Sequence, residues 1–70
     1  MALMMFSVLS SNLSKVGYEN GTLYIEFHSG GFYRYSGVPE YVYRELMAAE
    51  SKGKYFAKNI KNVYAYQRIG

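Results

Sequence analysis

Lys54, Lys58 and Lys61 recur at i, i+4 and i+7, a spacing that lines their side chains along one face of a helix. Lys52 and Arg68 lie nearby in the chain. Binding a polyanion requires several cations on one surface, because each phosphate contact releases condensed counterions. The distribution of charge points the same way. Residues 1–50 set Lys15, Arg34 and Arg44 against Glu19, Glu26, Glu40, Glu45 and Glu50, a net −2, whereas residues 51–70 hold five cations and no acid, a net +5. Such an asymmetry suggests RNA or another polyanion as a partner. A solvated lysine face on a small domain is the plainer explanation, and charge alone does not choose between the two.

Aromatic rings interleaved with cations form a second group. Tyr24, Phe32 and Arg34, with Lys15 and His28, share one face if the segments that carry them are strands. Sheets that bind single-stranded nucleic acid stack bases on such rings. Cross-strand pairing of Lys15 with Glu26 and of Tyr24 with Arg34 would instead make this face ordinary solvated surface, which is the preferred reading of the two.

Catalysis finds no such support. Ser10, Ser11 and His28 could in principle supply a nucleophile and a base, but the chain has no aspartate and no cysteine, and His28 falls in or beside a hairpin loop. Ser51-Lys52-Gly53-Lys54 lacks the Gly-x-x-x-x-Gly-Lys-Ser/Thr spacing of a phosphate loop and the strand that precedes one. One histidine and no cysteine leave a zinc site of the usual kind without ligands. The expectation is a module that is not an enzyme and carries no cofactor and no metal.

These residues need a scaffold, and turn chemistry supplies much of it. Asn20-Gly21 between two alternating apolar runs, Ser14–Glu19 and Thr22–His28, predicts a hairpin with a type I′ turn, because both central residues then take positive φ. Tyr18 then faces Leu23 and Val16 faces Ile25, with Phe27 on the same buried face. For the next run, Gly31–Ser36, two registers compete. A two-residue turn at Ser29-Gly30 sets Ile25 across from Arg34 and puts an arginine in the core. A three-residue loop, His28-Ser29-Gly30 with Gly30 as a left-handed bulge, sets Ile25 across from Tyr33 and Leu23 across from Tyr35. Burying an unpaired charge costs far more than any difference between turn types, so the three-residue loop is predicted. Tyr33 and Tyr35 then face inward and Arg34 outward.

Val38-Pro39 closes the sheet and opens a helix, proline suiting the first helical position. Val42, Leu46 and Ala49, widened by Tyr43 and Met47, form its apolar stripe, and Glu40 suits the helix dipole and can pair with Arg44. Gly53 reads as the stop. A second short helix is expected from about Lys54 to Lys61, with Phe56, Ile60 and Val63 inward and the lysines opposite. Val63–Ile69 reads as a last strand or an extended arm. The order β-β-β-α-α-β predicts an α+β fold, a small antiparallel sheet with two short helices packed on one face.

Seventy residues allow a single domain, taken as 1–70. A chain this short buries only about 60% of the surface it exposes when unfolded, and without cysteine it has no disulfide to reinforce it. Nine tyrosines and four phenylalanines supply the packing instead. Residues 1–9 are apolar but carry no basic residue and are too short to span a bilayer, so they are expected to form an N-terminal strand or arm rather than a signal or a membrane anchor. The absence of cysteine fits a cytoplasmic protein.

Ser10-Ser11-Asn12, Val16-Gly17-Tyr18, Leu23-Tyr24-Ile25-Glu26-Phe27, Tyr33-Arg34-Tyr35, Gly37-Val38-Pro39, Ala49-Glu50-Ser51-Lys52-Gly53, Tyr55-Phe56 and Asn59-Ile60 follow one another in an order that resembles the KTSC domain. The resemblance runs from Val8 to Ile69. That family is named for its occurrence at the C-terminus of some lysyl-tRNA synthetases and also occurs as small stand-alone bacterial and phage proteins. The resemblance implies a small domain for which RNA binding has been suggested from the synthetase context. Its Tyr-x-Tyr motif lands on Tyr33 and Tyr35, so it marks the fold more than a site.

The function expected is therefore non-catalytic binding of RNA or nucleic acid through the basic C-terminal helix. Lys52, Lys54, Lys58, Lys61 and Arg68 would contact phosphates, and Tyr24, Phe32 and Arg34 would offer a base platform. The alternative is a protein-interaction module using the outer sheet face or a free strand edge, or a phage accessory protein that binds a host protein or a small nucleotide.

Overall fold

The computed structural model describes residues 3–70. Strands β1 (Met5–Ser7), β2 (Leu13–Glu19), β3 (Thr22–Phe27), β4 (Phe32–Tyr35) and β5 (Tyr66–Arg68) form one antiparallel sheet in chain order. Helices α1 (Glu40–Ala48) and α2 (Lys52–Asn59) lie between β4 and β5 in the chain. The expected α+β fold is present. The apolar N-terminal segment supplies the edge strand β1; its first two residues, 1 and 2, lie outside the described residues.

Turn chemistry sets the register as expected. Asn20 and Gly21 take φ of 51° and 76°, and Tyr18 pairs with Leu23 and Val16 with Ile25. At the second hairpin the Phe27 amide donates to the Gly31 carbonyl at 2.8 Å and the Gly30 amide to the Phe27 carbonyl at 2.9 Å, with Gly30 at φ 105°. Ile25 pairs with Tyr33 and Leu23 with Tyr35, so Arg34 is exposed. Tyr35 is buried, whereas Tyr33 is only half-buried.

One feature of β2 escapes simple alternation. Leu13 and Val16 are three apart yet both fully buried. A bulge between Leu13 and Lys15 inserts the extra residue that brings both to the inner face.

The helices depart from expectation at their ends. Pro39 is the N-cap of α1, with ψ 151°, rather than its first helical residue. Gly53 does not stop α1: the chain turns extended at Ala49, and Gly53 is the second residue of α2. The reason is Ser51, whose Oγ accepts from the Lys54 amide at 3.4 Å and starts a new helix before Gly53 is reached. At the other end the amides of Ile60 and Lys61 both donate to the Phe56 carbonyl, and Asn62 takes the left-handed conformation that follows many helices. Lys61 therefore lies just beyond α2, and Val63, 59% exposed, is not part of the inward stripe.

Leu13, Val16, Leu23 and Ile25 from the sheet pack with Tyr35, Val38, Val42, Leu46, Phe56 and Ile60. The Tyr18 hydroxyl donates to the Val38 carbonyl at 2.6 Å, and its ring stacks on Tyr43 at 5.1 Å, which fastens α1 to the sheet. The Phe56 ring meets Phe27 and Tyr35 edge-on at 5.5 and 5.4 Å and fastens α2. On the other face, Gly17 is buried where it lies across from Met5 of β1: a Cβ there would stand 2.8 Å from the Met4 carbonyl oxygen and 2.5 Å from the Met5 sulfur.

Phe56→Ala should cost about 3–5 kcal/mol in urea unfolding, a large part of the stability of a domain this size. A loss below about 1 kcal/mol would remove Phe56 from the core. Gly17→Ala should push β1 off β2, because a backbone oxygen cannot yield as a flexible side chain does. Amide exchange should then speed up at Phe6 and Val8, whose amides face β2, while β3 and β4 stay protected; unchanged exchange at these two amides would refute the close approach.

Candidate functional site

The residues singled out from the sequence separate onto different surfaces. Tyr24 and Phe32 lie on the outer face of the sheet, half-buried, with ring centroids 6.3 Å apart and tilted 39°. Arg34 shares that face and donates from Nη2 to Gln67 Oε1 at 2.6 Å. Part of the expected platform is covered, because the Phe32 backbone exchanges hydrogen bonds with Ile69 and Gly70 and Gly70 packs on its ring. Lys15 stands across from Glu26 and Tyr24 across from Arg34, the cross-strand pairing of an ordinary solvated surface.

The cations of the C-terminal segment differ among themselves. Lys54 and Lys58 are exposed on α2, and Lys61 is exposed in the turn after it. Lys52 is half-buried and donates from Nζ to the Ala49 carbonyl at 3.1 Å, so it serves the end of α1. Arg68 projects from β5 on the inner face, paired with Tyr33. Its guanidinium carbon sits 5.9 Å from the Tyr33 ring centroid, and its Nε donates to the Gly70 carbonyl at 2.9 Å.

Between the inner face of the sheet and α2 lies an open cavity of about 530 Å³, which the expected site residues, Lys61 apart, do not touch. Phe27, Tyr33, Tyr35, Phe56 and Tyr66 form its aromatic wall; Ser11, Asn12, His28, Ser29, Gly53, Ala57, Lys61 and Asn62 complete it. On α2 the cavity is lined by two small residues four apart, Gly53 and Ala57, and a Cβ at Gly53 would already stand 3.5 and 3.6 Å from Asn12 and Ser10. That small pair is the signal in the sequence; reading Tyr33 and Tyr35 as simple core conceals it. No acid lines the cavity.

The polar rim is held by local bonds. Ser10 Oγ accepts from the amides of Asn12 and Leu13 at 3.2 and 3.1 Å, and the His28 amide donates to the Asn12 carbonyl at 2.9 Å. His28 Nε2 lies 2.9 Å from the Ser10 carbonyl oxygen, so it must be the protonated nitrogen, since a carbonyl only accepts. His28 thus ties the hairpin loop to Ser10–Asn12. Among the described residues no three His, Cys, Asp or Glu side chains gather as a metal site would need, and no helix is long and apolar enough to cross a membrane.

Two phenols are held neutral far above physiological pH. Burial pushes Tyr35 up to about 12, aided by Tyr33 and Tyr66 beside it. Tyr55 is also raised to about 12, by burial and then by its 2.6 Å hydrogen bond to Glu45, which joins α2 to α1. Of the nine tyrosines, two should therefore ionise only near pH 12 in absorbance titration at 295 nm, and Tyr35→Phe and Tyr55→Phe should each remove one. Because the folded values exceed the unfolded value of about 10, the stability these groups contribute is complete below that pH and lost as it rises towards 12. No late-ionising class would contradict the burial described.

Comparison with known proteins places these features in a family. The family model for the KTSC domain matches residues 9–64. An uncharacterized protein of Stutzerimonas stutzeri is 43% identical over 63 residues, covering 86% of this chain and 89% of that protein. A lysine–tRNA ligase of Nostoc sp. is 48% identical over 48 residues, which cover 69% of this chain but 9% of the ligase. The crystal structure of a KTSC domain protein from Yersinia pestis superposes with a TM-score of 0.95 at 38% identity, covering 99% of this chain and 100% of that one. Several residues that carry the resemblance, Ser11, Asn12, Tyr33, Tyr35, Gly53 and Phe56, line the cavity. The chain belongs to the KTSC domain family.

Proposed function

We propose that this chain is a non-catalytic module that binds single-stranded RNA in the cytoplasm, its phosphates met by Lys54, Lys58, Lys61 and Arg68. The observation that carries the reading is the basic segment 51–70, with five cations, no acid, and Lys54, Lys58 and Lys61 exposed. Lys52 contributes less, because its ammonium is engaged at the end of α1. The occurrence of a similar segment within a lysine–tRNA ligase supports the reading from a separate direction. Tyr24, Phe32 and Arg34 take a lesser part, since Arg34 is bonded to Gln67 and the chain end covers part of Phe32.

A second reading has one observation in its favour. Phe6 on the edge strand β1 and its flanking residues Met4 and Leu9 are exposed at 45%, 67% and 94%, and an edge of this kind can receive a strand of a protein partner.

Fluorescence anisotropy on labelled RNA at several salt concentrations tests the first reading. The logarithm of affinity should fall linearly with the logarithm of salt, with a slope of about −0.7 per phosphate contact. Replacing Lys54, Lys58 and Lys61 together with glutamine should flatten that slope by about 2 while leaving the melting temperature nearly unchanged, because exposed lysines contribute little to stability. Binding no tighter than about 100 μM at low salt would refute RNA binding. A pull-down insensitive to nuclease would then favour the protein partner.

A further inference from the structure

We infer that the cavity between the sheet and α2 receives an unstacked nucleobase of the RNA strand whose phosphates lie along the lysines of α2. This rests on the RNA-binding reading and adds to it the place where a base is held. Lys61 joins the two, because it belongs both to the basic set and to the cavity wall. A strand that follows the lysines thus arrives at the opening.

The size fits. Small-molecule sites commonly enclose about 300–1,000 Å³, and 530 Å³ has room for a base with its ribose. The wall offers faces as well as edges. Tyr66 is 61% exposed, with its ring centroid 5.8 Å from Tyr35 and 6.0 Å from Tyr33 at angles of 34° and 51°, so part of its ring is open to stacking. Arg68 over Tyr33 adds a cation beside the same wall.

The polar lining also suits a base. Asn12 and Asn62 each carry an amide donor and a carbonyl acceptor, the pair a base edge requires. The Tyr35 hydroxyl, protonated at physiological pH as any tyrosine is, adds a donor to the lining. No carboxylate side chain lines the cavity to repel an anionic strand there. Single-stranded RNA gives up a base at little cost, because no pair has to be broken.

The test compares a labelled uridine decamer with a decamer of the same backbone bearing no bases, using wild type and Ala57→Trp. Ala57 is exposed, lines the cavity and lies outside both the core and the lysines. Wild type should bind the base-bearing strand at least about fivefold more tightly, as stacking of one base requires. In Ala57→Trp the indole should occupy the cavity and abolish that preference, leaving abasic affinity and its salt slope as they were. The comparison of the two strands on wild type needs no variant, so equal affinity there overturns the site even if tryptophan disturbs folding. Equal affinity of wild type for both strands overturns the base site while leaving RNA binding intact. An undiminished preference in folded Ala57→Trp also overturns it. Failure of both strands to bind removes the RNA reading and the base site together.

Discussion

The edge-on packing of Phe56 between Phe27 and Tyr35 is the contact on which the arrangement of this protein turns. A chain of 70 residues with no cysteine must hold its layers together by side-chain packing. Phe56 and Ile60 are the buried residues of the α2 region, and they occupy one side of it. Gly53 and Ala57, on the adjoining side, line the cavity with almost no side chain. The ring therefore fixes how near α2 comes to β4, while its small neighbours leave the remaining gap open. Closure of the core and existence of the cavity are two consequences of one helix.

That coupling explains what could be read in advance. The register of β3 on β4 was legible because a single alternative existed and it would have buried Arg34. The Asn20-Gly21 turn was legible because few dipeptides accept positive φ twice. Leu13 was missed because a bulge breaks the alternation on which strand patterns rest. Gly53 was misread because glycine stops a helix by taking the left-handed conformation, whereas the start signal here came two residues earlier, at Ser51. The cavity was hidden for a deeper reason: its walls come from the β1–β2 and β3–β4 loops, β3, β4, α2 with the turn after it, and β5, and its volume depends on distances between them that no local pattern encodes.

The sheet separates the expected site residues by simple parity. On β4 and β5, Tyr33, Tyr35, Tyr66 and Arg68 fall on the inner face, and Arg34 and Gln67 on the outer. Two arginines that look equivalent in composition thus have unrelated surroundings. Arg34 is occupied by a glutamine beside half-buried rings, while Arg68 stands over a tyrosine that borders the cavity. Any surface that combines aromatic rings with the C-terminal cations must therefore be the inner edge, not the outer face.

The charges of α2 are arranged against the helix rather than for it. A helix N-terminus carries partial positive charge and favours acids in its first turn, at about 0.3–1 kcal/mol each. The first turn of α2 holds no acid and instead holds Lys52 and Lys54. Lys52 is offset by the preceding helix, since its ammonium meets the Ala49 carbonyl at the end of α1, where a cation is favourable. Lys54 has no comparable bond and is exposed. Folding stability thus gives no reason for a cation at that position. Gly53, beside it in the same turn, lines the cavity, so the positive end of α2 and the unfavourably placed lysine lie together at the edge of a wall that contains no acid. A cation placed against the helix dipole, at the edge of a wall that contains no acid, is what an anionic ligand would use.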